Sequence, residues 1–142
     1  MIEKYTQEEF ISSEEFKSCQ DIYLNKYFLE DKYSLDDISD MTFYIYKIND
    51  EIIGFASFQD NEYLNILDMN FDIKWRYSDK QIELLNYILY DVKKENIYVH
   101  QSYEEDYEFY LKMDFELYKD YGDFFMIGSD VMRYSMNLKS NK

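Results

Sequence analysis

The sequence predicts one α/β domain over residues 1–142, with a mixed central sheet of about six to seven strands flanked by helices. Three observations predict it. The apolar period changes from helical to strand-like near residue 41 and back near residue 78. A strand–helix–strand succession over residues 62–100 calls for a parallel pair joined by a crossover. The chain is 46% hydrophobic and 20% aromatic, enough apolar mass for a packed core and too much for a disordered chain.

The elements follow in order. Residues 1–5 read as a short strand. Thr6 and Glu9 form a capping box, each side chain satisfying the other's orphan amide. Ser13 caps a longer helix whose Phe16, Cys19, Tyr23 and Tyr27 recur every three or four residues and share one face. A short helix follows Ser34, carrying Leu35 and Ile38. Residues 41–48 and 51–59 are β-branched and aromatic around Asn49-Asp50, the pattern of a hairpin with a two-residue turn. Residues 62–72 make a third strand, with Leu64, Ile66 and Asp68 on one face and Asn65, Leu67, Met69 and Phe71 on the other.

Residues 73–79 read as a loop. Ser78 and Gln81 predict a second capping box opening a helix to about residue 94, with Ile82, Leu85, Ile88, Leu89 and Val92 facing inward. Residues 96–100 are the strand after that helix. Ser102 and Glu105 open another helix, carrying Tyr107, Tyr110 and Leu111. Strands at about 115–118 and 131–138 close the domain, with a loop between them.

Thirty acidic against fifteen basic residues leave a net charge of −15. Such a field repels nucleic acid and anionic membranes, so neither is expected as a direct partner. It attracts a cationic amine or a basic protein, and it also keeps a Tyr-rich surface soluble. The single Cys19 excludes an internal disulfide and reads as core. No signal-like or membrane-length apolar run occurs, which together with Cys19 points to the cytoplasm. The lone His100 completes no metal-ligand spacing, so no metal is expected. With 17 Tyr and 11 Phe some aromatics must be exposed, a basis for self-association as a homodimer.

Several segments resemble the GNAT N-acetyltransferase superfamily. Glu51-Ile52-Ile53-Gly54-Phe55-Ala56 is similar to that family's third strand, where a small residue allows close approach of a neighbouring backbone. Met69 to Arg76 resembles the central strand and its exit, with Trp75 in the aromatic position. Ile97-Tyr98-Val99 and Tyr110-Leu111-Lys112-Met113-Asp114-Phe115 resemble a late strand and a Tyr-x-x-x-Gly-Phe segment, and Met136-Asn137-Leu138 resembles the finish.

The resemblance implies acetyl-CoA as cofactor and attack of an amine on its thioester. Tyr110 stands where the family places the acid that protonates the leaving thiolate. Asp68 is the carboxylate best placed on the central strand to act as base. The backbone near Phe71 would face the acetyl group, and Arg76, Tyr77, Ser78, Lys80 and Gln81 would hold the diphosphate at a helix N-terminus.

This sequence departs from the pattern there. The two glycine positions of Arg/Gln-x-x-Gly-x-Gly/Ala carry Asp79 and Gln81, so the binding loop is degenerate. An Asp79 carboxylate about 4 Å from a phosphate costs on the order of 4 kcal/mol before screening. Tyr103, Asp106 and Asp114 replace a usual Asn, a small residue and a Gly. Two functions are therefore expected: an N-acetyltransferase on a small cationic amine or a protein Lys, or a catalytically degenerate acidic module that engages a basic protein, as a nucleic-acid mimic does.

Overall fold

The computed structural model describes residues 1–27, 41–60, 65–94, 97–101, 104–120 and 124–128. They fall into two compact units, one of residues 1–60 and 68–84, the other of 61–67 and 85–142.

The first unit begins with β1 (Ile2–Thr6), α1 (Gln7–Ile11) and α2 (Glu15–Tyr27). Thr6 Oγ1 accepts from the Glu9 amide at 3.2 Å and Glu9 Oε1 accepts from the Thr6 amide at 3.0 Å, so the expected capping box is made. β2 (Met41–Ile48) and β3 (Glu51–Asp60) form the expected hairpin. Asn49 and Asp50 adopt φ 51° and 65°. Both turn residues thus lie in the left-handed region that a two-residue type I′ turn requires and that Asn and Asp tolerate.

The strand order here is β1-β2-β3-β4, where β4 spans Asn65–Phe71 and its Asp68–Phe71 half belongs to this unit. The core is aromatic. Phe10, Cys19, Phe43, Ile45 and Phe55 have no exposed surface, and the Phe10 and Phe43 rings stack at 4.0 Å. Cys19 is core, and burial pushes its thiol pKa well up, so it is no nucleophile at neutral pH.

Lys47 ties three segments together. Its ammonium meets Glu15 at 2.8 Å and Glu3 at 3.1 Å, and its backbone exchanges two bonds with Met1. The hydrogen bond from Tyr5, followed by the Lys47 contact, holds Glu3 below the usual carboxylate range, and the Tyr5 hydroxyl is pushed up to about 12 by the same bond.

After β4 a 3-10 turn (Ile73–Trp75) occupies part of the expected loop and α3 (Asp79–Val92) follows. Its buried apolar residues are Leu84, Leu85, Ile88 and Leu89, while Ile82 and Val92 are half-buried. The stripe thus buries three of the five positions expected, with Leu84 added.

In the second unit the order is β4-β5-β7-β6, with β5 (Ile97–Gln101), β6 (Glu116–Asp120) and β7 (Phe124–Gly128). β4 and β5 pair in parallel at Ile66↔Tyr98 and Leu67↔Val99, as the crossover requires. β7 corrects the expected loop after residue 118. Residues 124–128 pair antiparallel with β5 on one side and β6 on the other.

α4 (Glu104–Lys112) buries Phe109 and Tyr110 and is followed by buried Met113, whereas Leu111 is exposed. The expected helix after Ser34, the cap at Ser102, the substitution at Tyr103 and the strand at 131–138 lie outside the described residues.

Candidate active site

The exit of β4 is built in the first unit. Phe71 is buried, and its ring lies over Gly54 so closely that a Cβ there would meet ring carbons at 2.4 Å. The small residue at 54 therefore admits a side-chain ring rather than a neighbouring backbone. A bulge between Tyr46 and Lys47 interrupts the β2–β3 register opposite Ile53, and the Ile53 carbonyl accepts from the Asp72 amide at 2.9 Å. Arg76 Nε donates to the Phe71 carbonyl at 3.0 Å, joining two of the expected cofactor residues.

The first turn of α3 is closed by its own side chains. Tyr77 adopts φ 63°, an unfavourable region for a bulky residue, and its amide donates to Gln81 Oε1 at 2.7 Å. The Ser78 amide donates to the Trp75 carbonyl at 3.3 Å, and Ser78 Oγ donates to the same carbonyl at 2.6 Å. Ser78 Oγ accepts from the Lys80 amide at 3.3 Å, and the Gln81 amide reaches the Ser78 carbonyl at 3.1 Å.

This corrects the expected capping box. Ser78 caps the second helical amide rather than the third, and Gln81 reaches back to Tyr77 rather than Ser78. The left-handed turn at Tyr77 presents that amide instead. Of the amides from 77 to 81, only that of Asp79 makes no hydrogen bond among the described residues. Asp79 is exposed, Gln81 is buried, and Lys80 Nζ lies 5.8 Å from the Tyr46 ring centre. The Tyr46 hydroxyl donates to Glu83 by a short bond, and burial foremost raises its pKa.

Acetyl-CoA is the group the sequence implies, and magnitudes decide whether its diphosphate fits. Releasing two neutral caps, those of Gln81 and Ser78, costs about 1 kcal/mol each. Charge-assisted bonds from the same amides to phosphate return about 1.5–3 kcal/mol each. The exposed Asp79 carboxylate opposes by about 0–1 kcal/mol, well below its unscreened value. The residues fit the diphosphate, but more weakly than an open glycine loop. Arg76, Lys80 and the Asp79 amide are the groups that would face it.

On β4, Asp68 and Asn70 share a face two residues apart. Asn70 Nδ2 donates to Asp68 Oδ2 at 3.1 Å. Asn70 is fully buried and its Oδ1 has no hydrogen-bond partner. Asp68 is half-buried, and burial followed by the Asp68 charge raises the pKa of the Tyr23 hydroxyl on α2. Asn70 escaped sequence reading, although a second polar residue two positions after Asp68 on an apolar strand was the signal.

Tyr110 belongs to the second unit, whereas Asp68, Phe71, Arg76, Tyr77, Ser78, Lys80 and Gln81 belong to the first. Its ring is buried edge-on to Phe109 at 5.2 Å and Phe115 at 5.1 Å. The Phe115 amide donates to the Tyr110 carbonyl at 3.0 Å and the Asp114 amide to Leu111 at 3.1 Å, a Schellman closure of α4 with its hydrophobic contact. Asp114 takes φ 68° there, so the backbone keeps the shape a glycine would favour although the glycine is gone. Asp106 is buried. Among the described residues no His, Cys, Asp or Glu cluster suits a metal ion, and no helix is long and apolar enough to cross a membrane.

No protein-family model and no curated protein matches the sequence. Solved structures do match the fold. An acyl-CoA N-acyltransferase from Pseudomonas aeruginosa superposes with TM-score 0.73 at 11% identity, over 91% of this chain and 99% of that one. An aminoglycoside 6'-N-acetyltransferase complexed with coenzyme A gives TM-score 0.73 at 13% identity, over 91% and 96%. The Campylobacter jejuni N-acetyltransferase PseH in complex with acetyl coenzyme A gives 0.56 at 13%, over 92% and 99%. At such identities the likeness speaks for architecture alone, and on that ground the chain is a GNAT-fold protein.

Proposed function

We propose that the chain is a GNAT-type N-acetyltransferase that moves an acetyl group from acetyl-CoA to an amine on a small cationic molecule or a protein lysine. The observation that carries this reading is a fold shared over 91% of the chain with acyl-CoA-dependent enzymes, one of them holding coenzyme A. Bound acetyl-CoA supplies an activated acyl thioester and its thiolate leaving group. Everything else falls to this chain's residues. Arg76, Lys80 and the first-turn amides of α3 bind the diphosphate once Gln81 and Ser78 turn away. Asp68 holds the acceptor ammonium and takes its proton. Tyr110 keeps the acid role by resemblance, with its ring fixed by Phe109 and Phe115. The net charge of −15 draws cationic acceptors toward the protein.

Thermal melting with and without millimolar acetyl-CoA tests this. Ligand at 100 times its dissociation constant adds about 2.7 kcal/mol of stability. We expect an upward shift for the natural chain and a larger one for Asp79→Asn, which removes the opposing charge. No shift in either protein sinks the transferase reading.

A second reading is favoured by the self-capped turn and by an open cavity of about 620 Å³ whose lining sets Glu14, Glu15, Asp21, Asp50 and Glu51 against the single cation Lys47. In it the domain is an acidic module that engages a basic protein. Capture of that partner then weakens from low to high salt while acetyl-CoA leaves the melting temperature unchanged.

A further inference from the structure

Lys80 is the cation that the first turn of α3 offers to a diphosphate, and β2 builds its surroundings. Tyr46 stands opposite Gly54 in the hairpin register, on the sheet face that the Phe71 ring covers. Only 4% of it is exposed. The register shifts between Tyr46 and Lys47, and such a bulge re-aims the side chain beside it. The Tyr46 hydroxyl donates to the Glu83 carboxylate, and Lys80 Nζ lies 5.8 Å from the Tyr46 ring centre. Burial and the Glu83 bond raise the pKa of that hydroxyl, and a hydrogen bond from Lys80 opposes them. One phenol thus meets both charged side chains.

Residue spacing would join the two charges directly. Lys80 and Glu83 are three residues apart on α3, where opposite charges pair. A carboxylate set on the ammonium would leave less positive charge for an incoming anion. The Tyr46 hydroxyl gives Glu83 another partner. An ammonium has three N–H donors and the phenol oxygen takes one, so the others remain for phosphate oxygens. The tether also removes in advance part of the rotamer freedom that a lysine loses on binding.

We propose that Tyr46 is a positioning residue of the diphosphate site, engaging Glu83 so that the Lys80 ammonium is kept for the anion. This rests on the transferase reading for its natural ligand, acetyl-CoA, and inorganic pyrophosphate serves as a second probe that does not.

Calorimetric titration of the full chain with each ligand tests it, with melting curves to show that the variants fold. Tyr46→Phe keeps the ring and should weaken pyrophosphate binding about fivefold, the size of a modest ionic contact. Lys80→Met should weaken it about tenfold, through loss of a charge-assisted bond. Two results separate positioning from packing. In the Lys80→Met background Tyr46→Phe should change nothing, since no ammonium is left to position. Glu83→Gln should gain more affinity in Tyr46→Phe than in the natural chain, since only there does the carboxylate compete for Lys80. A Tyr46→Phe effect that persists without Lys80, or an equal gain from Glu83→Gln in both backgrounds, overturns the proposal. The natural chain provides a check that needs no variant. With labelled lysine, pyrophosphate should shift the Lys80 side-chain NMR signals saturably, and unmoved signals also overturn it. Pyrophosphate binding that depends on Tyr46, without acetyl-CoA binding, leaves the proposal standing and the transferase reading fallen. Acetyl-CoA binding that Tyr46→Phe does not weaken does the reverse.

Discussion

The loop after β4 and the face of β4 differ in one respect that organises the first unit. In the loop, amide donors that a phosphate could use have found acceptors within the chain, at Gln81, Ser78 and Trp75. On the strand, an acceptor at Asn70 has found no donor. A satisfied group binds a ligand only by giving up what it holds, whereas an orphan gains outright. The strand face and the loop that follows it therefore make opposite demands: the loop must open to take a phosphate, and the face is short of a donor.

The largest effect expected comes from breaking Phe71, which the strand face and the loop share. Gly54→Val places carbon inside the Phe71 ring contact, and overpacking of this kind costs about 3 kcal/mol. Chemical denaturation would read it. Unchanged stability would mean that Phe71 does not fix the exit of β4.

A fully paired charge in the same unit provides the next contrast. Lys47→Met should cost roughly 2 kcal/mol at neutral pH, between the values for exposed and buried pairs, since Lys47 is 13% exposed and Glu15 21%. Hydrogen bonds, chiefly from Tyr5 to Glu3 and from Lys47 to Glu15, lower both carboxylates. Their contribution is therefore present above the ordinary carboxylate pKa and is lost as pH falls through the depressed folded values. The stability gap between the natural chain and Lys47→Met should close on acidification below about pH 4. A gap that widens would refute the pairing.

The smallest effect sharpens the closed end alone. Tyr77→Gly relieves a left-handed backbone and should add about 1 kcal/mol of stability, read by chemical denaturation. A loss of stability would show that the Tyr77 side chain does more than its backbone costs.

Local chemistry was legible where neighbours in sequence satisfy one another. The Thr6–Glu9 box and the Asn49-Asp50 turn follow from residue type and spacing, because the groups that meet are three residues apart or fewer. Ser78 and Gln81 have the same spacing and still bond differently, since the backbone turn at Tyr77 chooses the amide within reach. Leu84, added to the expected stripe, reflects what α3 packs against rather than its period. β7 was unreadable for the plainest reason: residues 124–128 are a strand because β5 and β6 pair with them from both sides.

The sequence alone determined the α/β class, the hairpin, the parallel crossover, the loss of the loop glycines and the negative field, all properties of residue type and short-range order. Beyond the Thr6–Glu9 box, only the tertiary structure decided which polar groups are paired. A hydrogen bond depends on a few tenths of an ångström and on what excludes water, and neither is written in the order of residues. Asn70 is an ordinary asparagine in the sequence and becomes an orphan acceptor only when folding removes its water and supplies no donor in return.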